Sequence, residues 1–285
     1  MKSDLKRRAF LSGAAALFAS PAISQVKGPF DLLGPNADPK DLIDRVWDPA
    51  RASFLTIRDL IDTLADSEII LVGERHGFAA HQERVAFLIK ALADRGRYPT
   101  LALEMLQPSD DPVIAGYRRE NPEYARRLGI ALDWAASGWP DWSFYEPIFD
   151  AAFAAKLPVI GADLPLSDQI DIERNGLDER PSDPSILESW KASMFEAHCG
   201  LIDEDRTLKL ALKQWRRDEA MARAAQSSAV GALALMGREH TIPSRSVPRH
   251  LTKAHICLDL SSEPGEANLT WITEPQTNPA GKLCG

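Results

Sequence analysis

The chain has 285 residues, 45% of them hydrophobic, and a formal net charge of −8 at pH 7. This length and apolar content suit one large domain with a substantial core. The acidic balance argues against nucleic acid and against an anionic membrane surface as partners, because both repel a negatively charged protein.

Residues 1–24 have the pattern of an export signal. A positive start containing the pair Arg7-Arg8 precedes an apolar run over residues 9–19, which is too short to span a bilayer. Cleavage is expected before Gln25, and the arginine pair indicates a twin-arginine signal, with an ordinary secretion signal as the alternative. Removal of this segment takes away four positive charges and one negative charge, so the net charge changes from −8 to −11. We therefore expect a periplasmic or exported protein without a membrane anchor.

The rest of the chain divides into three unequal parts. Residues 25–50 are rich in Pro, Asp and Gly and predict an irregular strap. An α/β domain is predicted over residues 51–274, and a flexible tail over residues 275–285. The three cysteines have no CxxC spacing, so neither a thiolate zinc site nor a disulfide-dependent fold is expected.

Strands and helices alternate along the predicted domain. The capping box of Thr56 and Asp59 begins the first helix, and the proline at position 147 fits the first turn of a later helix. The predicted strands cover residues 68–72, 100–103, 158–160, 230–236, 255–260 and 269–273. The predicted helices cover residues 57–64, the region around 85–92, parts of 110–131, and residues 145–155, 184–198 and 203–226. The short apolar strands predict a single α/β domain with a mostly parallel central sheet flanked by helices.

Polar side chains follow four of these strands directly. Glu74 and His76 follow the first strand, Glu104 the second, Asp163 the third and His240 the fourth. The carboxyl ends of parallel strands share one edge of a sheet, and ligands of α/β proteins bind there. The sequence therefore predicts that these side chains form one polar site.

Two chemical uses of this site are open. His76, Glu104 and His240 are suitable ligands for a divalent Fe, Mn or Zn ion, with Glu74 activating water. Without a metal, His76 can act as a general base oriented by the carboxylates. The alternative for Glu74 is a favourable charge at the start of the next helix. The chain has no G-x-S-x-G elbow, phosphate loop, HExxH or G-x-G-x-x-G motif, which argues against several common enzyme classes.

A second set of residues is predicted to support the site. His81 lies on the buried face of its helix, either behind the site or as an ordinary core histidine. Asp163, Arg217 and Asp218 are the other supporting candidates, and Asp218 needs a partner because it lies on an apolar helix face. The partner is expected either in a purely structural ion pair or among the side chains of the site. The tryptophans between residues 134 and 142 either pack in the core or line a planar ligand.

Several segments resemble one known family. Leu71–His76, followed by His81-Gln82, resembles the GExH…H signature of the ChaN-like haem-binding family. That family belongs to the Tiki superfamily, together with the erythromycin esterases. Further similar segments follow in the same order: Ala102–Met105, Tyr145–Pro147, Pro158–Pro165, His198-Cys199, Gln214–Asp218 with Met221-Ala222, and Gly237–His240. The resemblance covers about residues 55–250.

The resemblance implies a periplasmic or surface protein that binds haem or iron. In that family, haem can bind as a face-to-face pair held by tyrosine between two subunits, which implies a homodimer. The family's lipid-anchor cysteine is missing here, and the haem tyrosine is unassigned among Tyr98, Tyr117, Tyr124 and Tyr145.

The resemblance also implies an α/β core shared with hydrolases, in which the residues matching Glu74, His76, Glu104 and His240 form the active or metal site. We therefore expect a protein that binds haem, a divalent metal or another small molecule. The alternative is a metal-dependent or acid–base hydrolase, acting on esters or peptides at the same site.

Overall fold

The computed structural model describes residues 39–275. The predicted signal segment (1–24), most of the predicted strap and nearly all of the predicted tail lie outside the described residues. Within the described range, no helix is both long enough and apolar enough to cross a bilayer.

Eight strands of the described chain form one sheet with the order β2-β1-β8-β7-β3-β6-β4-β5. The strands are β1 (Val46–Asp48), β2 (Ser53–Leu55), β3 (Ile69–Glu74), β4 (Thr100–Leu103), β5 (Val159–Gly161), β6 (Ala232–Gly237), β7 (His255–Ser261) and β8 (Leu269–Ile272). All neighbouring pairs are parallel except β1 with β2 and β1 with β8. The prediction of a mostly parallel α/β sheet is confirmed.

Eight α-helices of the described chain accompany this sheet. They are α1 (Ile57–Ala65), α2 (Ala79–Ala93), α3 (Asp111–Glu120), α4 (Leu128–Ala131), α5 (Trp142–Ala154), α6 (Leu166–Asn175), α7 (Pro184–Ala197) and α8 (Glu204–Ser227). Helix α1 begins at the predicted capping box, in which Thr56 and Asp59 each bond the other's backbone amide.

The central strands are buried on both faces, because helices cover the sheet on each side. Alternate residues such as Ile70 and Val72 of β3 pack on one face with the apolar sides of α1, α2 and α5. Their neighbours Ile69 and Leu71 pack on the other face with Met221 and small residues of α8. Each fully buried aliphatic side chain stabilises the fold by roughly 1.5–3 kcal/mol. Burial on both faces explains the unbroken apolar runs of these strands.

Several elements of the structure differ from the prediction, among them strand β2, which the sequence did not indicate. The segment predicted as an irregular strap contains strand β1, which joins the sheet edge by pairing with β2 and β8. Helix α5 begins at Trp142, where Asp141 caps it, so Pro147 lies in the second turn and not in the first. Helix α6 was not predicted. These elements depend on pairing or packing with distant segments, and such interactions override local propensity.

Candidate functional site

The polar residues at the strand ends meet at one edge of the sheet. Strands β3, β6, β4 and β5 are adjacent and parallel, so their carboxyl ends point the same way. Glu74 is the last residue of β3, and Glu104 follows β4 directly. Asp163 follows β5 by two residues, and a short 3₁₀ helix after β6 carries His240. The topology therefore brings together the residues predicted from four separate strands.

Glu74 and His76 form a carboxylate–imidazole pair. The His76 Nδ1 atom lies 2.9 Å from Glu74 Oε1, and Nε2 lies 3.5 Å from Glu104 Oε2. Gln82 donates a hydrogen bond to Glu74, and the Tyr145 hydroxyl lies 3.3 Å from Glu74 Oε1. Because the Glu74 carboxylate can only accept, it favours the tautomer in which His76 carries a proton on Nδ1. In the neutral ring the Nε2 atom then carries the lone pair and can accept a proton, and Glu104 Oε2 at 3.5 Å stabilises the charged form.

Gly237 allows His76 to approach strand β6. A Cβ atom added at this glycine would lie 2.8 Å from His76 Nε2 and 3.5 Å from Glu104 Oε2. The backbone amide of Gly237 donates to Glu104 Oε2 over 2.6 Å. The glycine therefore has two roles, leaving space for the imidazole and orienting the neighbouring carboxylate.

Arg217 of helix α8 lies at the centre of the network. Its guanidinium donates to Glu104 over 2.7 Å and to both oxygens of Asp163 over 2.8 and 2.9 Å. Gln214 accepts a further bond, and His240 Nε2 lies 3.4 Å from Arg217 Nη1. A buried arginine with this many carboxylate partners fixes their positions, because its fork of donors is planar and rigid.

His240 and Asp218 form a second imidazole–carboxylate pair behind the first. His240 Nδ1 lies 2.6 Å from Asp218 Oδ1, and Trp190 Nε1 donates to the other oxygen over 2.9 Å. Asp218 therefore finds its partner within the site, which is one of the two alternatives drawn from the sequence.

Burial and charge act in opposite directions on the acid–base properties of the site. Burial raises the pKa of Glu74, and the hydrogen bonds from His76 and Gln82 only partly oppose this shift. Burial also tends to raise the pKa of Glu104, but the nearby charges of His240 and Arg217 outweigh it and lower that pKa to about 2. Burial raises the pKa of Asp218 to about 6 despite its bond with His240. Two of the three carboxyl groups are therefore easier to protonate than a free side chain.

His76 is the most accessible member of the network. Its side chain is 26% exposed, whereas those of Glu74, Glu104 and His240 are at most 6% exposed. Burial lowers the pKa of His76, but the bond to Glu74 and the charges of both glutamates outweigh burial, so the pKa is raised. An accessible imidazole with a raised pKa is suited to exchange protons with a ligand.

A cleft of about 460 Å³ leads to this network. Its lining mixes apolar side chains such as Leu106 and Trp139 with polar ones, and it includes Asp163 and Arg217. The Trp139 ring contacts the His76 ring edge-on, with centroids 4.9 Å apart. Trp134 and Trp139 both line the cleft, and Trp134 is in addition buried in the core, so the two alternatives for these tryptophans do not exclude each other.

The predicted supporting residues occupy two different places. Asp163, Arg217 and Asp218 belong to the network through the bonds described above. His81 is fully buried, with Nδ1 accepting from the Arg75 amide and Nε2 lying 3.2 Å from the Thr273 hydroxyl. Burial lowers the pKa of His81 to about 3, so the ring is neutral, as expected of a core histidine.

The predicted ligands His76, Glu104 and His240 do not fit a divalent Fe, Mn or Zn ion. Among residues 39–275, no group of three or more His, Cys, Asp and Glu side chains is placed to hold a metal. The guanidinium of Arg217 contacts both Glu104 and His240, which themselves lie 3.4 Å apart, and it already supplies the positive charge that a metal would bring. A dication beside this cation would be repelled.

Sequence reasoning missed two side chains that complete the network, Gln82 and Trp190. Gln82 on helix α2 bonds to Glu74, and Trp190 on helix α7 bonds to Asp218. In both cases the two partners come together only after the chain folds. Gln82 was visible only as the neighbour of His81 in the resemblance, and Trp190 gave no signal beyond its apolar helix face.

These features define a class of protein: a parallel α/β fold with a buried charged network at the carboxyl ends of its strands. Residues 60–251 match the family model described as "Haem-binding uptake, Tiki superfamily, ChaN". The chain therefore belongs to this ChaN family.

Two solved structures are similar to the chain. The structure described as "Cofacial heme binding to ChaN of Campylobacter jejuni" is 22% identical, with a TM-score of 0.72, over 79% of this chain and 95% of that one. The structure of the type III effector HopBA1 is 14% identical, with a TM-score of 0.48, over 76% of this chain and 92% of that one. The first likeness shows a shared fold. No curated protein matches the chain.

Proposed function

We propose that this chain is an exported haem-binding protein of the ChaN kind. The observation that carries the proposal is the family match over residues 60–251. The relative from Campylobacter jejuni is described by cofacial heme binding. The surface of this chain offers a suitable ligand type, since Tyr98 and Tyr124 are exposed and tyrosinate is an established axial ligand of haem iron.

The charged network at the strand ends is not suited to hold the haem. Its one arginine is already paired with two carboxylates, and Glu74 and Asp218 add further acidic groups. The two propionates of haem would increase this excess of negative charge. Tyr145, the nearby tyrosine, is buried and its hydroxyl faces Glu74. Haem therefore binds at a different surface.

Export is supported by the pattern of residues 1–24, above all by the Arg7-Arg8 pair. A twin-arginine route requires both arginines, so Arg7→Lys with Arg8→Lys should keep the protein in the cytoplasm. Cell fractionation and immunoblotting measure this distribution. Unchanged export of the double variant would contradict the twin-arginine route while leaving general secretion open.

The haem proposal is tested on protein purified from the exported fraction of its own cells. We expect a Soret absorption band together with about one iron per chain by elemental analysis. We also expect haem loading to convert monomers into dimers in light scattering, because a cofacial pair needs two subunits. A protein that is colourless, and stays so after haem is added, would contradict the proposal.

A second candidate function is acid–base hydrolysis at the strand-end network. The observation that favours it is the Glu74–His76 pair, because His76 is the most accessible residue of the site. Glu74 holds the imidazole in one tautomer, as an orienting carboxylate does in other hydrolases. A network that only stabilised the fold would not need an oriented imidazole that is accessible to solvent.

In this mechanism His76 moves the proton and no metal takes part. A water molecule gives a proton to His76 Nε2 while its oxygen bonds to the carbonyl carbon of an ester or amide. The Arg217 guanidinium, which reaches the cleft, holds the Glu104 and Asp163 carboxylates in place beside the reacting groups. The protonated His76 then returns its proton to the departing alcohol or amine as the carbon–oxygen or carbon–nitrogen bond breaks.

Chromogenic esters of graded acyl length test this second function. His76→Ala should remove turnover, whereas His198→Ala should not, because His198 is exposed at the end of helix α7. Circular dichroism of both variants checks that the fold is intact. Equal turnover by the two variants, or none by the native protein against the whole series, would count against hydrolysis.

A further inference from the structure

A pocket of about 550 Å³ adjoins the cleft that leads to the strand-end network. Helix α4, the 3₁₀ turn over residues 134–136 and the start of helix α5 supply its lining. Asp133, Trp134 and Trp139 line both the pocket and the cleft, so the two cavities meet along this segment. Because the Trp139 ring also contacts the His76 ring, the pocket lies one side chain away from the proposed base. The pocket is therefore placed to hold one part of a ligand whose other part reaches the cleft.

Indole rings form part of the pocket lining. The side chains of Trp139 and Trp142 are half-buried, so part of each ring stays open to the pocket. The buried Trp134 packs edge-on against Trp142, with ring centroids 5.1 Å apart, and its Nε1 donates to the Pro140 carbonyl over 2.7 Å. A Cβ atom added at Gly129 would lie 2.7 Å from the Trp142 ring, so glycine lets helix α4 pack this closely. These contacts fix the position of the Trp142 ring.

The charged groups around the two cavities are mainly acidic. Asp110 borders the cleft, Asp133 borders both cavities and Asp141 borders the pocket. Within residues 39–275, none of these three carboxylates forms an ion pair. Arg126 is the cationic residue of the pocket lining, so two carboxylates in that lining stand against one guanidinium. The pocket therefore attracts a positively charged ligand and repels an anionic one.

Asp133 lies where the pocket and the cleft meet. Its backbone is left-handed, with a φ angle of 49° and a ψ angle of 40°, a conformation that costs energy for any residue except glycine. Its side chain is exposed, and in the described part of the chain its carboxylate has no hydrogen-bond partner. No contact within the fold therefore accounts for this carboxylate. A strained residue that places an uncompensated charge between two cavities indicates a binding role.

We infer that this pocket binds a quaternary ammonium group, held by the Trp139 and Trp142 rings and by the negative charge of Asp133. An indole ring attracts a cation through its quadrupole, and methyl groups on the nitrogen suit the exposed apolar side chain of Ile130 beside the rings. The inference rests on the second candidate function, hydrolysis, and names its substrate class. That class is an ester or amide that carries a quaternary ammonium group, with the carbonyl carbon in the cleft beside His76.

Choline and its uncharged isostere 3,3-dimethylbutan-1-ol test the pocket without any turnover. Each is titrated into the mature, ¹⁵N-labelled chain, and the indole N–H resonances are followed by NMR. The resonance of Trp139 is the one that is missing from the spectrum of Trp139→Phe. We expect choline to shift this resonance to saturation and to bind at least fivefold more tightly than the alcohol, equivalent to about 1 kcal/mol, because the two differ only in charge.

Variants of the lining separate the charge from the rings. Asp133→Asn removes the charge and keeps a residue that tolerates the left-handed backbone, so it should weaken choline binding about threefold and leave the alcohol unaffected. Asp66→Asn is the matched control, exposed at the end of helix α1 and at the opposite edge of the sheet, and should bind choline as the native protein does. Trp139→Leu should weaken choline binding at least fivefold, whereas Trp139→Phe, which keeps an aromatic ring, should lose less. Circular dichroism checks that each variant is folded.

The outcomes distinguish the ammonium site from the hydrolase function. Equal affinities of the native protein for choline and for the alcohol would overturn the site, as would undiminished choline binding by Asp133→Asn or by Trp139→Leu. Choline binding by a native protein that cleaves no choline ester would contradict hydrolysis and leave the site standing. Equal kcat/KM for a choline ester and for the 3,3-dimethylbutyl ester of the same acid would overturn the substrate class.

Discussion

Replacement of Arg217 by Met should destabilise the protein far more than the loss of an ordinary surface charge. Arg217 is buried and donates to Glu104 and Asp163 at 2.7–2.9 Å. Without it, both carboxylates stay buried with no cation between them. Removing one partner of a buried ion pair costs about 3–5 kcal/mol. Because domains are stable by about 5–15 kcal/mol in total, the variant should fold but with a large loss.

Urea denaturation followed by far-ultraviolet circular dichroism and by tryptophan fluorescence measures this loss. The matched control is Arg206→Met on the same helix, which breaks an accessible pair with Glu173 and should cost about 0.2–1 kcal/mol. Adding Glu104→Gln to Arg217→Met should restore part of the stability, because one uncompensated charge is removed. Equal free energies of unfolding for the two arginine variants would refute the argument, as would a double variant less stable than Arg217→Met.

Three further predictions concern the strand-end site. The pKa of His76 is raised above 6.5, so the ring becomes protonated and stops acting as a base already above pH 6.5 as the solution is acidified. The kcat/KM for any cleaved ester should therefore decrease on acidification with a midpoint above pH 6.5. A midpoint below 6.5 contradicts this role. Gly237→Ala should displace His76 and lower the free energy of unfolding by about 1–3 kcal/mol. The control Gly116→Ala in helix α3 should lower it by nothing, because a Cβ there meets only Arg119 at 3.7 Å. Equal unfolding midpoints for the two variants would contradict the steric argument. EDTA, Zn²⁺ and Mn²⁺ should leave the melting temperature unchanged, because Arg217 fills the place of a cation; a concentration-dependent rise in calorimetry would show a metal site.

The sheet was predictable because its central strands are buried on both faces. Continuous apolar runs such as residues 69–72 have no helical period and end in polar residues, which indicates a parallel strand. The capping box of helix α1 was equally local, since Thr56 and Asp59 bond each other. Strand β1 could not be predicted in this way, because three residues carry little pattern and its pairing with β8 joins segments more than two hundred residues apart.

The composition of the strand-end site was predictable, but its charge balance was not. Strand ends predicted Glu74, His76, Glu104 and His240, because parallel strands share an edge. The sequence left the identity of the central cation open between a metal and the side chains themselves. Arg217 takes that place from helix α8, and only the packing of this helix on the sheet determines it.

The central claim is that this member of the ChaN family binds haem. The most direct measurement is an absorption titration of the mature, purified chain with ferric haem, compared with the same additions to buffer and to a protein of similar charge. We predict a Soret band that saturates at one haem per chain and differs from that of free haem. A spectrum that follows free haem at every ratio, without saturation, would contradict the claim.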